Sequence, residues 1–313
     1  CNKNTFEQSY LNTSKKIKIM AKIIYYIALF FASLLGIHAQ EFQGMAVYES
    51  KTSMEDFKTQ MSGNKNITPE MQKTMEDRMK SMFEKTFILN FDKSASIYKE
   101  EEKLDSPTQG GGGFRMMGNM MGGGGTFYKN VKEKTYTVDK EFMGKEFLIK
   151  DSLPNLKWKM EGETRVIGGF NCFKATAVRP VSKTDFQNLR PKQEGTTAKP
   201  ADAAKSTNFM DGLEMPKEVV VTAWYTPEVP VNQGPDNYWG LPGLILEIND
   251  GKTVILCSKI VLNPKEKAVI KAVTKGKVVT QAEYDETVLK KMEEFRNMNN
   301  GRGNGGMQIR IGG

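Results

Sequence analysis

The chemistry open to this chain is bounded first by its supply of imidazole. Its 313 residues include one histidine, His38. His38 stands at the end of an apolar run, Ile23 to Ile37, that follows Lys22 and precedes Ala39. A basic stretch, an apolar core of about 15 residues and a small residue at the cut describe a secretory signal peptide. The run is shorter than the roughly 20 residues a spanning helix needs. Cleavage after Ala39 would remove His38, and with it any Ser-His-Asp triad, Cys-His dyad, histidine-bearing zinc site or histidine general base. Carboxylates such as Asp236, Glu247 and Asp250 could act without histidine. A glycosidase-type pair must stand at a set separation, however, and nothing in their spacing sets one. No catalytic residue, cofactor or metal is assigned, and a histidine-free hydrolase is the weakest functional reading.

The sulfur ligands point the same way. Cys172 and Cys257 lie in strand-like segments, and in an oxidising compartment they form either a disulfide or two separate buried thiols. Cys1 lies upstream of the apolar run, so it is not the lipidated cysteine of a lipoprotein signal. Met20 is the expected true start. Met71, Met75, Met79, Met82 and Phe83 recur at helical spacing after Thr68-Pro69, which reads as a helix with an apolar core face rather than a copper site. Met116, Met117, Met120 and Met121 lie among glycines. They could gather a soft Cu(I) ion, but no histidine or cysteine stands beside them, and the stretch reads as a mobile loop.

The other concentration of distinctive side chains is aromatic. Trp224-Tyr225-Thr226-Pro227 leads through Pro230, Gly234-Pro235 and Tyr238-Trp239 into Gly240-Leu241-Pro242-Gly243-Leu244-Ile245, a run that holds two of the three tryptophans. Its prolines fix φ and remove backbone donors, so the segment is neither a helix nor the middle of a paired strand. Gly240 and Gly243 permit positive φ or close backbone approach. The turn chemistry favours a buried structural corner packed by Trp224, Tyr238 and Trp239. The functional alternative is an aromatic-lined crevice. In that reading Trp224, Tyr225, Tyr238, Trp239, Gly240, Leu241, Pro242 and Gly243 form the candidate ligand- or partner-binding set. The hexapeptide Gly240–Ile245 resembles the signature of the GLPGLI family, secreted bacterial proteins without an established activity. The resemblance extends to an opening strand, a Leu153-Pro154 turn with Trp158, and the Ile167-Gly168-Gly169-Phe170 hairpin with Cys172.

The elements that must position these residues are short. Strands are expected from Phe42 to Glu49, Thr86 to Phe91 and Ser94 to Lys99, the last two hinged at Asp92-Lys93. Others are expected at Thr126 to Lys129, Lys134 to Val138, Lys145 to Lys150 and Leu156 to Met160. Thr164 to Ile167 and Phe170 to Ala175 flank Gly168-Gly169, a two-residue hairpin signal, and Leu244 to Ile248 and Thr253 to Ile260 flank Asn249-Asp250-Gly251. Glu218 to Tyr225 is apolar on both faces and reads as a central strand. Ala268 to Thr274 and Val278-Val279 read as a further pair. Thr280-Gln281-Ala282-Glu283 is a capping box that opens a helix running toward Met298.

Together these predict a mainly β (α+β) fold, a strongly curved antiparallel sheet like a lipoprotein-carrier half-barrel, with two principal helices. Residues 1–39 form the upstream extension and signal peptide and 40–298 one domain. Within that domain 100–125 and 182–216 are disordered insertions, and 299–313 is a disordered Gly/Asn/Arg tail. Removing residues 1–39 from 313 leaves 274, enough for one sizeable core. The removed piece carries five lysines against Glu7, so the formal net charge of +8 falls by 4 to +4, with no basic stripe suited to nucleic acid. The expected protein is exported to the periplasm or outer cell envelope and is not integral to the membrane. There it is a non-enzymatic binder of an apolar or peptide-like ligand, or else a docking accessory of an outer-membrane protein or transport system.

Overall fold

The computed structural model of the chain describes residues 42–53, 83–101, 124–191 and 213–300, with 22, 55, 70, 73, 74, 77 and 80 as isolated positions. The chain divides into two compact units, Cys1–Phe42 and Gln43–Gly313. The first lies outside the described residues except for Lys22 and Phe42. The signal peptide, residues 102–123 of the glycine-methionine stretch and residues 301–313 of the C-terminal tail fall outside them as well, while Asn299 and Asn300, expected in the tail, belong to the last helix. The helix expected after Thr68 also falls outside them, apart from single positions.

The strands are β1 (Gly44–Thr52), β2 (Glu84–Phe91), β3 (Ala95–Glu100), β4 (Thr126–Asn130), β5 (Thr135–Phe142), β6 (Lys145–Ser152), β7 (Lys159–Ile167), β8 (Phe170–Pro180), β9 (Arg190–Pro191), β10 (Leu213–Glu214), β11 (Glu218–Thr226), β12 (Leu244–Asn249), β13 (Thr253–Leu262) and β14 (Lys277–Val279). Twelve of them form one sheet, in the order β14-β6-β5-β4-β3-β2-β1-β13-β12-β11-β8-β7. Its ends, β14 and β7, are not paired with each other, so the sheet is not closed into a barrel. Among the described residues the one continuously described α-helix is α1 (Gln281–Asn300), single positions such as 70, 73, 74, 77, 80 and 83 are also helical, and no helix there is long and apolar enough to cross a membrane.

Local chemistry explains the turns. Gly168 and Gly169 take φ of 58° and 87°, the left-handed pair that matches strand twist in a two-residue hairpin. The Asp92 carboxylate accepts the N–H groups of Ser94 and Ala95 between β2 and β3. Asp250 does the same for Lys252 and Thr253 between β12 and β13. At the start of α1 the Thr280 N–H donates to the Glu283 carboxylate at 2.8 Å, and the Glu283 N–H donates back to Thr280 Oγ1 at 3.3 Å, a reciprocal capping box. Thr280→Ala removes the side-chain acceptor and is expected to cost about 1 kcal/mol, read as a lower urea midpoint at unchanged slope.

One face of the sheet is packed. Toward β5 and β6 it carries Tyr136, Val138, Phe147 and Ile149, covered by Tyr284 and Val288 of α1 and by Phe186. Toward β8, β11 and β12 it carries Ala175, Val221, Ala223 and Ile248, covered by Tyr238 and Leu241. Strand registers place both clusters on the same face.

Several expectations change. The sheet is mixed, because β14 runs parallel to β6. Ala268 to Thr274 are not strand, so the expected pair with Val278-Val279 does not form, and those residues join β6 instead. Leu156 to Trp158 are not strand; β7 starts at Lys159. Val220 is 64% exposed although β11 is paired on both sides, so β11 is central in the sheet but not buried on both faces. The ends of the stretch 182–216 are ordered. Phe186–Asn188 make a 3-10 turn with Phe186 and Asn188 buried, and β9 pairs with β10. Ser182 and Thr184 hydroxyls donate to the Asp285 carboxylate of α1, which explains why this polar sequence is held. Cys172 and Cys257 are free thiols. β11 and β12 lie between their strands, roughly 14 Å of sheet, beyond the reach of about 7 Å for a disulfide.

Candidate functional site

β11 ends at Thr226 and β12 begins at Leu244, so the proline-glycine segment spans 227–243 between two paired strands. It folds back on the packed face through its own backbone: Leu244 N–H donates to Val229 O at 3.0 Å and Ile245 N–H to Gln233 O at 3.0 Å. Val229, Val231, Gln233 and Leu241 are buried. Distant strands then grip it. The Tyr48 hydroxyl on β1 donates to Ile245 O at 2.7 Å, and the Ser96 hydroxyl on β3 donates to Gln233 Oε1 at 2.9 Å.

The strongest grip comes from Lys129 on β4. Alternation along Phe127-Tyr128-Lys129-Asn130 places it on the packed face opposite Ser96 and Tyr136. It is fully buried. Its ammonium donates to the backbone carbonyls of Gly234, of Asp236 at 2.7 Å and of Tyr238 at 3.0 Å. Burial pushes the ammonium down, to about 7, and the Asp236 carboxylate pulls it back up. The three carbonyls also act upward, because only the charged amine offers three N–H donors. Asp236 takes φ of 47°, and desolvation raises its carboxyl against the opposing pull of Arg179 and Lys129. A second buried node lies alongside, where Arg179 pairs with Asp185 at 3.0 Å and lies over the Tyr238 ring at 5.9 Å.

The structure does not bring the eight candidate binding residues together at one mouth. Trp224 lies on the open face under the Arg165 guanidinium, 4.3 Å from its ring, and Arg165 also pairs with Glu247. Tyr225 lies on the packed face beside Phe173, and its hydroxyl reaches Met160 Sδ at 3.5 Å. Tyr238 is buried against β11 and β12. Trp239 is half-buried near α1, its indole N–H donating to Pro154 O at 2.8 Å, while Trp158 donates to Trp239 O at 2.9 Å. Leu241 and Gly243 are buried, and Gly240 and Pro242 are exposed. Of the three candidate carboxylates, Asp250 is tied into its turn, Glu247 pairs with Arg165 on the open face, and Asp236 belongs to the Lys129 node.

Among the described residues, two features bear on where a ligand could sit. A cavity of about 250 Å³ lies beside the β5–β6 turn, lined by Asp139, Lys140, Glu141, Glu146 and Lys275 rather than by aromatics. Among the described residues no group of three or more histidine, cysteine, aspartate or glutamate side chains could hold a metal ion. The other feature is β7, the sheet edge, where Met160, Val166 and the neighbouring Phe173 are 51%, 64% and 39% exposed. Register puts all three on the packed-face side with Tyr225.

A mainly β protein built on one mixed twelve-stranded sheet is the class these observations define. A family model described as "Protein of unknown function (Porph_ging)" matches residues 158–247, which covers Trp158, β7, β8, β11, the proline-glycine segment and the start of β12. Two solved structures of PNGF-II, in C2 and P21 space groups, are similar to the chain at 14% identity and TM-score 0.41. Each comparison covers 80% of this chain and 33% of the other, so the chain spans about a third of their length. No curated protein matches.

Proposed function

We propose that this chain is an exported, non-enzymatic GLPGLI-type protein of the cell envelope that binds a peptide-like ligand. The ligand is an extended segment of an envelope partner, such as an outer-membrane protein, added along the edge of β7. In this reading the sheet curves as a half-barrel filled by its own proline-glycine segment, so the ligand seat lies at the rim and not in a central pocket. The observation that carries the proposal is the apolar strip Met160, Phe173 and Val166 beside an edge strand with no further strand paired to it among the described residues. Edges are commonly guarded by charge. Here Glu161, Glu163 and Arg165 face the other side and are already paired with Lys174 and Glu247. An added strand would satisfy backbone groups along Thr164 to Ile167 and lay alternate apolar side chains over the strip.

The test is selection of extended peptides from a displayed library on the full chain, followed by affinity measurement on variants. Val166→Asp is expected to weaken the selected peptides at least tenfold, about 1.4 kcal/mol. The melting temperature should be nearly unchanged, because Val166 is 64% exposed. Amide exchange should slow in β7 on binding. Selected peptides that bind the Val166→Asp protein equally well, or that protect other strands instead, would sink the reading.

A further inference from the structure

Lys129 is the one fully buried lysine among the described residues, and its surroundings are shaped for its charged end. Three carbonyls from alternate residues, 234, 236 and 238, converge on one nitrogen. They can do so because Pro235 fixes one turn of the backbone and Asp236 takes a left-handed φ of 47°, which swings successive carbonyls to the same side. A primary ammonium has three N–H donors, and a tetrahedral nitrogen with three acceptors on one side matches them one for one. The Asp236 carboxylate favours the charged form of Lys129, and Arg179, Lys129 and Lys140 in turn favour the charged form of Asp236. Nothing in this arrangement is a general base or a nucleophile poised for chemistry, since every donor is used on main chain.

We propose that the carbonyls of Gly234, Asp236 and Tyr238 form a cation site selective for a primary ammonium, in which Lys129 is the tethered occupant and whose filling holds the Tyr238-Trp239-Gly240 backbone in place. The site is independent of β7, so peptide capture and ammonium binding can fail separately. It also makes β4, a five-residue strand outside the 158–247 match, the element that shapes the segment within that match.

The experiment uses the full chain carrying Lys129→Ala, with melting temperature and tryptophan emission followed against added methylammonium chloride and, at equal concentration, tetramethylammonium chloride. The expected result is a lowered melting temperature and red-shifted emission in the variant. Methylammonium should reverse both saturably, and tetramethylammonium, which has no N–H donors, should reverse neither. Equal responses to the two salts would overturn the proposal. Lys129→Met, which fills the space without charge, should melt lower than the parent and show the same emission change; a melting temperature and emission equal to the parent would also overturn it. If Lys129→Ala does not fold, the nitrogen-15 resonance of Lys129 Nζ in the unaltered protein decides. A slowly exchanging –NH3+ signal at neutral pH supports the site, and a neutral amine signal overturns it.

Discussion

Gly243→Ala is expected to be severely damaging for a single added methyl group, lowering stability by about 3 kcal/mol or more, the upper end of overpacking costs. A Cβ at Gly243 would sit 2.2 Å from Thr226 O, 2.5 Å from Thr226 C and 2.8 Å from Pro227 N. All three are backbone atoms, so no rotamer change relieves the contact. Thr226 is paired with Leu244 at the end of the β11–β12 ladder, and the added methyl would wedge that ladder open where the proline-glycine segment leaves and returns. Gly240, in the same hexapeptide, is a glycine for a different reason. Its φ is +94° and the nearest atom to an added Cβ is Trp158 Nε1 at 4.0 Å. Gly240→Ala meets space but adopts a left-handed backbone, at a cost of roughly 1–2 kcal/mol. Urea denaturation of the two variants side by side checks the account. If Gly240→Ala proves the worse of the two, close backbone approach is not what the second glycine of the hexapeptide serves.

The parts of the fold that were legible in sequence are those decided within a few residues. Gly168-Gly169, Asp92, Asp250 and the Thr280/Glu283 box each act on their own backbone neighbours, so residue type alone specifies the geometry. The corner reading of the proline-glycine segment fits its burial for the same reason. Long-range partners were not legible. Nothing in Lys277-Val278-Val279 says that it joins β6 in parallel, because that depends on which strand edges remain free once the other strands have paired. Val220 and Val166 look like core residues by type, yet one lies on the open face and the other on the sheet edge. The aromatic set could have been sorted better. Trp224 and Tyr225 are adjacent in a strand, and a period of two sends neighbours to opposite faces, so they were never candidates for one mouth. Lys129 left a readable trace as well. It shares a strand face with Phe127, and a lysine in register with aromatics on a packed face must be paired or tied to backbone acceptors.

The second large effect follows from that corner. Trp239→Ala is expected to cost about 2–4 kcal/mol, from loss of a large ring and from the hydrogen bond it takes away. For a domain of this size that is a fall of roughly 5–15 °C in melting temperature. The indole of Trp239 reaches back 85 residues to Pro154 O, and Trp158 reaches forward to Trp239 O over 81. Each tryptophan therefore fixes the chain segment that carries the other. The crossed pair joins the 154–158 stretch before β7 to the proline-glycine segment before β12. Trp239→Phe keeps most of the ring and loses the donor, so it should fall between the parent and alanine. Combining it with Trp158→Phe should give less than the sum of the two single effects, since either loss loosens the segment the other holds. The same variant separates structure from recognition. A Trp239→Ala protein that melts with the parent but no longer captures selected peptides would return Trp239 to a binding role. One that melts early and still captures them at low temperature assigns the aromatic corner to the fold and leaves recognition to the edge of β7.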